Sequence, residues 1–283
     1  MSYNILVTGS SGFIGRALIT YLRKQHKYTI FGIDRENCDI TKDNIVNRNF
    51  KHVLHLAGKV NVTESWEQPL EYYKVNTIGT ANVLDFCRKY GCSLTYISSY
   101  VYGKTAAAKI DENHPVSAVN PYAHSKILAE NLCRFYSDNY NVKIAIIRPF
   151  NIYGNGQAAS FLVPEIISKT LDKRTDAVTV RDLTPKRDYL FIDDFVKLLE
   201  KTIGIAKTDV FNAGTGHSIS VGQVVKTILS ALDIKKRIVS GNITRHNEIM
   251  DTVANIGKAQ RILQWKPRYS FRQGIQKMLH ARA

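Results

Sequence analysis

Tyr122 and Lys126 stand four residues apart in NPYAHSK, directly after Asn120-Pro121. Proline suits the first turn of a helix, and residues four apart on a helix share a face. A phenol ordinarily ionises near pH ~10. An ammonium held beside it lowers that value toward the working pH, where the phenol can take and return a proton. Upstream, SLTYISSYVYG places Ser98 and Ser99 at the end of an apolar, β-rich run. A hydroxyl at that position can hydrogen-bond the oxygen that the phenol deprotonates.

A second constellation lies at the start of the chain. In VTGSSGFIG, the glycines Gly9, Gly12 and Gly15 follow the apolar run Ile5-Leu6-Val7. They precede Phe13, Ile14, Ala17, Leu18, Tyr21 and Leu22, which repeat at helical spacing. A strand-to-helix turn aims backbone N–H groups at one point, and the helix dipole makes that point favour an anion. Glycine lets a pyrophosphate approach the backbone closely. Asp34, in FGIDRE, follows about 20 residues later, where a carboxylate suits ribose hydroxyls and repels a 2′-phosphate. The expected cofactor is therefore NAD, with NADP kept open by the adjacent Arg35.

These residues need a scaffold, and the chain supplies alternating elements. Apolar runs at Tyr28–Ile33, His52–Leu56, Leu94–Ile97 and Ile144–Ile147 read as strands, with helical stretches at Thr77–Tyr90 and Pro121–Tyr140 between them. This pattern predicts an α/β fold, a Rossmann-type doubly wound parallel sheet over residues 1–150. Beyond NIYGNG the character changes. Helical stretches near 161–173, 193–203, 221–232, 255–264 and 271–279 predict a smaller, partly interleaved substrate domain over 151–283. The 283 residues are 44% apolar and 22% charged, as expected of a soluble globular protein. No apolar run is long enough to span a membrane, and MSYNILVTG enters a strand at once, so a cytoplasmic location without a targeting peptide is expected. The four cysteines form no metal-binding spacing, which predicts free thiols and no metal site. The net charge of +15 is scattered. It suits polyanionic small-molecule substrates or solubility better than a nucleic-acid face.

TGSSGFIG, HLAG (His55–Gly58), ISSYVYG, NPYAHSK, RPFN (Arg148–Asn151), RDYLFIDD (Arg187–Asp194), FNAGTG, RHNE (Arg245–Glu248) and WKPRYSF occur in this order. The set resembles the extended short-chain dehydrogenase/reductases, in their nucleotide-sugar epimerase, dehydratase and 4-ketoreductase branch. The resemblance implies that Gly9, Gly12, Phe13, Ile14 and Gly15 cradle the pyrophosphate and Asp34 holds the ribose. It places Asp39 and Ile40 at the adenine, and Leu56, Ala57, Gly58, Asn76 and Pro149 along the dinucleotide. Tyr122 becomes the acid/base and Lys126 its partner. Ser98, three residues before the valine of VYG, becomes the third catalytic member, with Ser99 as fallback. Ser98, Ser99, Asn151, Arg187, Arg245 and Glu248 are expected on the substrate. The short spacing between Asp34 and Asp39 implies an open adenine pocket.

Ser99 and Tyr100 stand where dehydratases of this branch carry an acidic pair, and the cysteine of the 3,5-epimerising reductases is absent, which leaves redox at C4 alone. The reading is an NAD-dependent nucleotide-sugar 4-epimerase. The alternatives are a 4-ketoreductase and, further off, a non-catalytic dinucleotide- or RNA-binding protein. A homodimer through the helices at Thr77–Tyr90 and Pro121–Tyr140 is expected from the resemblance.

Overall fold

A computed structural model describes residues 3–42, 45, 48–105, 109–243 and 249–281. β1 (Tyr3–Thr8) enters the glycine turn, α1 (Phe13–Arg23) leaves it, and β2 (Tyr28–Ile33) and β3 (His52–His55) follow. Two short helices, α2 (Val62–Glu67) and α3 (Pro69–Tyr72), lead through a π-helical turn at Tyr73–Ile78 into α4 (Gly79–Tyr90). Next come β4 (Ser93–Ile97), the long α5 (Pro121–Tyr140), β5 (Ile144–Pro149) and β6 (Asn151–Tyr153). The remainder is α6 (Leu162–Leu171), β7 (Ala177–Val180), β8 (Lys186–Phe191), α7 (Ile192–Lys201) and β9 (Asp209–Ala213). It ends with β10 (Ser218–Ser220), α8 (Val221–Leu232), β11 (Arg237–Ser240), α9 (Gly257–Leu263) and α10 (Phe271–His280).

The main sheet has six parallel strands in the order β2-β1-β3-β4-β5-β9. β1, β3, β4 and β5 are buried on both faces, so their successive residues feed opposite layers. Ile5, Val7, Ala145 and Ile147 join the layer under α1 and α7, while Leu6, Ile144 and Ile146 join the layer under α4 and α5. Strand order reverses between β1 and β3, which opens a crevice beyond their carboxyl ends. β9, from the later part of the chain, closes the far edge beside β5. A three-stranded sheet, β10-β8-β6, and the pair β11-β7 complete the strands. Among the described residues no helix is long and apolar enough to cross a membrane.

Local chemistry sets the element ends. Asn120 Oδ1 accepts from the Ala123 N–H at 2.8 Å, Pro121 takes the first helical position, and α5 ends at Asn141 with φ +59°. The helix expected from Thr77 instead starts at Gly79, because the preceding turn is wound wider and presses Asn76 into the interior. The C-terminal tail is fastened by the buried Asp194, whose carboxylate accepts the Arg268 and Tyr269 N–H groups at 2.8 and 2.9 Å.

β3 begins and ends with a buried imidazole. His52 lies between Ser93 Oγ and Thr95 Oγ1 at 2.7 and 2.9 Å, and His55 between Thr8 Oγ1 and Thr80 Oγ1 at 2.7 and 3.0 Å. Burial pulls both down from 6.5 to about 3, so they fold neutral. Between those values the unfolded chain binds protons that the folded chain refuses. Stability therefore falls as pH drops from 6.5 toward 3, by about 1.4 kcal/mol per pH unit for each imidazole. Urea unfolding followed from pH 7 to pH ~4 should show this slope, and His52→Gln should reduce it. A flat profile would contradict the buried, neutral assignment.

Candidate active site

The glycine turn is built for close approach. Gly9 has φ +68°, and a Cβ there would stand 2.8 Å from the Ala57 nitrogen. Gly12 caps α1 with no side-chain hydrogen bond, and the first helical turn holds no acidic residue. The N–H groups at Phe13, Ile14 and Gly15 thus start the helix without a side-chain partner, which fits the phosphates of a dinucleotide. Asp34 stands at the tip of β2, its Oδ1 accepting the Glu36 N–H at 3.1 Å and its Oδ2 lying 3.5 Å from Ser10 Oγ. Asp39 is differently employed. Its Oδ1 accepts the Thr41 N–H and hydroxyl at 3.0 and 2.8 Å, bonds that hold the carboxyl below its ordinary value. Ile40 is buried against Gly79, where a Cβ would stand 2.8 Å from Ile40 Cδ1. Leu56, Ala57 and Gly58 run half-buried out of β3, and Pro149 closes β5.

The proton-handling groups gather at the end of β4. Lys126 Nζ donates to the Ile97 carbonyl at 2.8 Å and sits 5.0 Å over the Tyr96 ring. Burial pulls its ammonium down to about 8. The Gly58 loop passes so close that a Cβ there would meet Lys126 Nζ at 3.4 Å. Tyr122 packs edge-on to Tyr72, ring centroids 6.3 Å apart. Burial pushes the Tyr122 phenol up to about 12, its hydrogen bond with the Ser99 side chain pulls the other way, and the Tyr100 phenol adds to the rise. In the free protein burial therefore outweighs the lowering expected from Lys126, whose ammonium is spent on the carbonyl beneath.

Ser98 is placed otherwise than counting back from VYG implies. Its N–H still follows the strand, donating to the Ile147 carbonyl, and its Oγ donates inward to Glu130 Oε1 at 2.6 Å. A tight turn, closed by the Val101 N–H on the Ser99 carbonyl at 2.9 Å, brings up Ser99 as the hydroxyl facing Tyr122. Glu130, fully buried, also takes Arg148 through both carboxylate oxygens, at 2.9 and 2.6 Å, and Arg134 at 3.0 Å. Asn76 is a brace. Its Oδ1 accepts the Lys59 N–H at 2.8 Å, while its Nδ2 donates to the Lys59 carbonyl and Ser125 Oγ at 3.0 and 2.9 Å. Its amide thus ties the Gly58 loop to α5.

The NAD-dependent epimerase/dehydratase family model matches residues 5–214. The chain belongs to that family. It is 28% identical over 301 residues to a putative UDP-glucose 4-epimerase of Methanocaldococcus jannaschii, with 98% of this chain and 97% of the relative covered. MoeE5 in complex with UDP-glucose and NAD superposes with a TM-score of 0.90 at 28% identity, covering 98% of this chain and 97% of MoeE5. RMD from Pseudomonas aeruginosa, complexed with NADPH, gives 0.90 at 25% identity, covering 100% and 99%. As a family member the chain is an NAD(P)-dependent enzyme of nucleotide-sugar chemistry built on the Rossmann-type sheet.

On the side expected to take substrate, Asn151 heads β6 and donates through Nδ2 to the Asp188 carbonyl at 3.4 Å. Arg187 donates to the Lys186 and Ile249 carbonyls at 2.7 and 2.5 Å, which ties β8 to the stretch after the segment carrying Arg245 and Glu248. Those two lie outside the described residues. Asp188, unremarked in the sequence reading, is buried and gathers the N–H groups of Thr215, Gly216 and Ala254 at 2.7, 2.9 and 3.2 Å. The Glu130–Arg148 pair was likewise missed. Its only signal was an acid on α5 four residues after Lys126.

Removing one partner of a buried ion pair leaves the other charge unpaired. Glu130→Ala should cost about 3–5 kcal/mol in chemical unfolding. A cost under about 1 kcal/mol would show that the pair is solvated.

Proposed function

We propose that this chain is an NAD-dependent 4-epimerase of nucleoside-diphosphate sugars. The observation that carries the reading is the meeting of Ser99 and Tyr122 above the buried Lys126, beside the uncapped glycine turn. Ser99 hydrogen-bonds the sugar O4 and Tyr122 takes its proton. Bound NAD, held by Gly9 to Gly15 and by Asp34, supplies the hydride acceptor at C4 and the donor on the return. Tyr122 gives the proton back to O4 after the 4-keto sugar has presented its other face. Lys126 anchors α5 on the end of β4 beneath Tyr122, the Ser99 hydroxyl favours the phenolate, and Asn151 and Arg187 are the side chains offered to the diphosphate. Residues 151–283 are the substrate half in this reading.

Asp34 at the tip of β2 favours NAD, and with it an epimerase that regenerates its own cofactor. The likeness to the Methanocaldococcus jannaschii relative and to MoeE5 with UDP-glucose and NAD supports that choice. A 4-ketoreductase is the second reading. It is favoured by the exposed Arg35 beside Asp34 and by the likeness to RMD with NADPH. The exposed Tyr90, Phe135 and Tyr140 on α4 and α5 support pairing of two copies through those helices. Four cysteines outside any disulfide, three of them buried, suit a reducing cytoplasm.

The purified protein should release NAD on denaturation and interconvert a UDP-hexose with its C4 epimer without added cofactor. Tyr122→Phe should lower turnover by about a thousandfold while NAD binding persists. Cofactor-free protein that consumes added NADPH with a 4-keto sugar would replace the epimerase by the reductase. Full turnover in Tyr122→Phe would remove the phenol from the chemistry.

A further inference from the structure

His55 heads the HLAG motif, 1% exposed, with a hydroxyl on each ring nitrogen. The direction of every bond around it can be deduced. Thr80 Oγ1 donates its proton to the Asn76 carbonyl at 2.6 Å, an oxygen that can only accept. Toward His55, 3.0 Å away, Thr80 must therefore accept, so Nε2 carries the hydrogen. A neutral imidazole then has a bare Nδ1, which accepts the Thr8 hydroxyl at 2.7 Å. Thr8 Oγ1 in turn accepts the Ala57 N–H at 3.1 Å. Burial and the nearby Lys126 cation both keep the ring neutral.

The line does not stop at either end. Thr8 is the last residue of β1 and precedes Gly9, while Ala57 belongs to the loop that Gly9 touches. At the other end Asn76 donates to Ser125 Oγ at 2.9 Å, and Ser125 Oγ donates to the Tyr122 carbonyl at 2.7 Å. Two directed runs of hydrogen bonds, joined by the covalent frame of Asn76 between its main-chain carbonyl and its side-chain amide, thus link the glycine turn to the backbone of the acid/base residue.

We propose that His55 is a positioning residue that holds the dinucleotide cradle and the catalytic helix in register through its Nε2–H tautomer. The role rests on the functional reading above, but its two arms separate without it. The Thr8 arm serves the cradle, and the Thr80 arm serves α5. Thr8→Val keeps the shape and frees the Ala57 N–H, so NAD affinity should fall about tenfold. Thr80→Val cuts the other arm. NAD affinity should then stay within about threefold while kcat falls about tenfold or more at unchanged KM, and Thr80→Ser should restore it.

Nitrogen-15 spectra of the wild-type imidazole should show protonated Nε2 and bare Nδ1 from pH ~5 to ~9. A protonated Nδ1 overturns the proposal without any variant having to fold. So does a folded Thr80→Val enzyme with wild-type kcat, or a Thr8→Val protein with undiminished NAD affinity. If the wild type turns over no nucleotide sugar, the functional reading fails, and the tautomer and NAD affinity still decide the role of His55.

Discussion

A buried ammonium on a main-chain carbonyl holds this site together. Lys126 is 4% exposed, and its Nζ rests on the Ile97 oxygen, the last carbonyl of β4. An ammonium taken out of water must find acceptors, and this one finds a single strand end. The bond sets the rotation of α5 about its axis. Tyr122, one turn earlier on the same face, is thereby delivered to Ser99, two residues beyond that carbonyl. Glu130, one turn later, is delivered to Arg148 on β5 and to Ser98 just past the end of β4. Three consecutive turns of one helix thus dock on two strand ends, and the Lys126 and Glu130 contacts are charge-assisted or ionic, with a geometry stricter than that of apolar packing.

The same burial that orders these groups changes their acidity. The phenol is pushed up to about 12 and the ammonium down to about 8, each toward its neutral form. Burial thus opposes ionisation of both members, and Ser99 is the side chain that pulls the phenol back. The histidines of β3 follow the same rule, since neutral rings can be threaded among hydroxyls without a counter-ion.

Much of this was legible beforehand. β1, β3, β4 and β5 bury both faces and so stood out as apolar runs, and Gly9, Gly12 and Gly15 marked the turn that the structure leaves uncapped. NPYAHSK disclosed its helix through Asn120 and Pro121. What escaped depended on loop length and long-range pairing. Counting back from VYG selected Ser98, but the tight turn at Ser99–Val101 leaves Ser98 in strand register, pointing inward. Glu130 reads from sequence as a solvated helix acid, because its partner Arg148 lies 18 residues away on another element. The start of α4 was missed because a π-helical turn breaks the 3.6-residue period on which such readings rest. The lowering of Tyr122 by Lys126 was overestimated because spacing alone does not reveal where an ammonium points.

The direct test of this arrangement is the titration of Lys126 itself, read by NMR on labelled lysine in the cofactor-free protein and assigned with Lys126→Met. An ammonium buried on the Ile97 carbonyl should titrate near 8. A value at the ordinary 10.5 would place the side chain in water, off the strand end, and would contradict the docking on which the site depends.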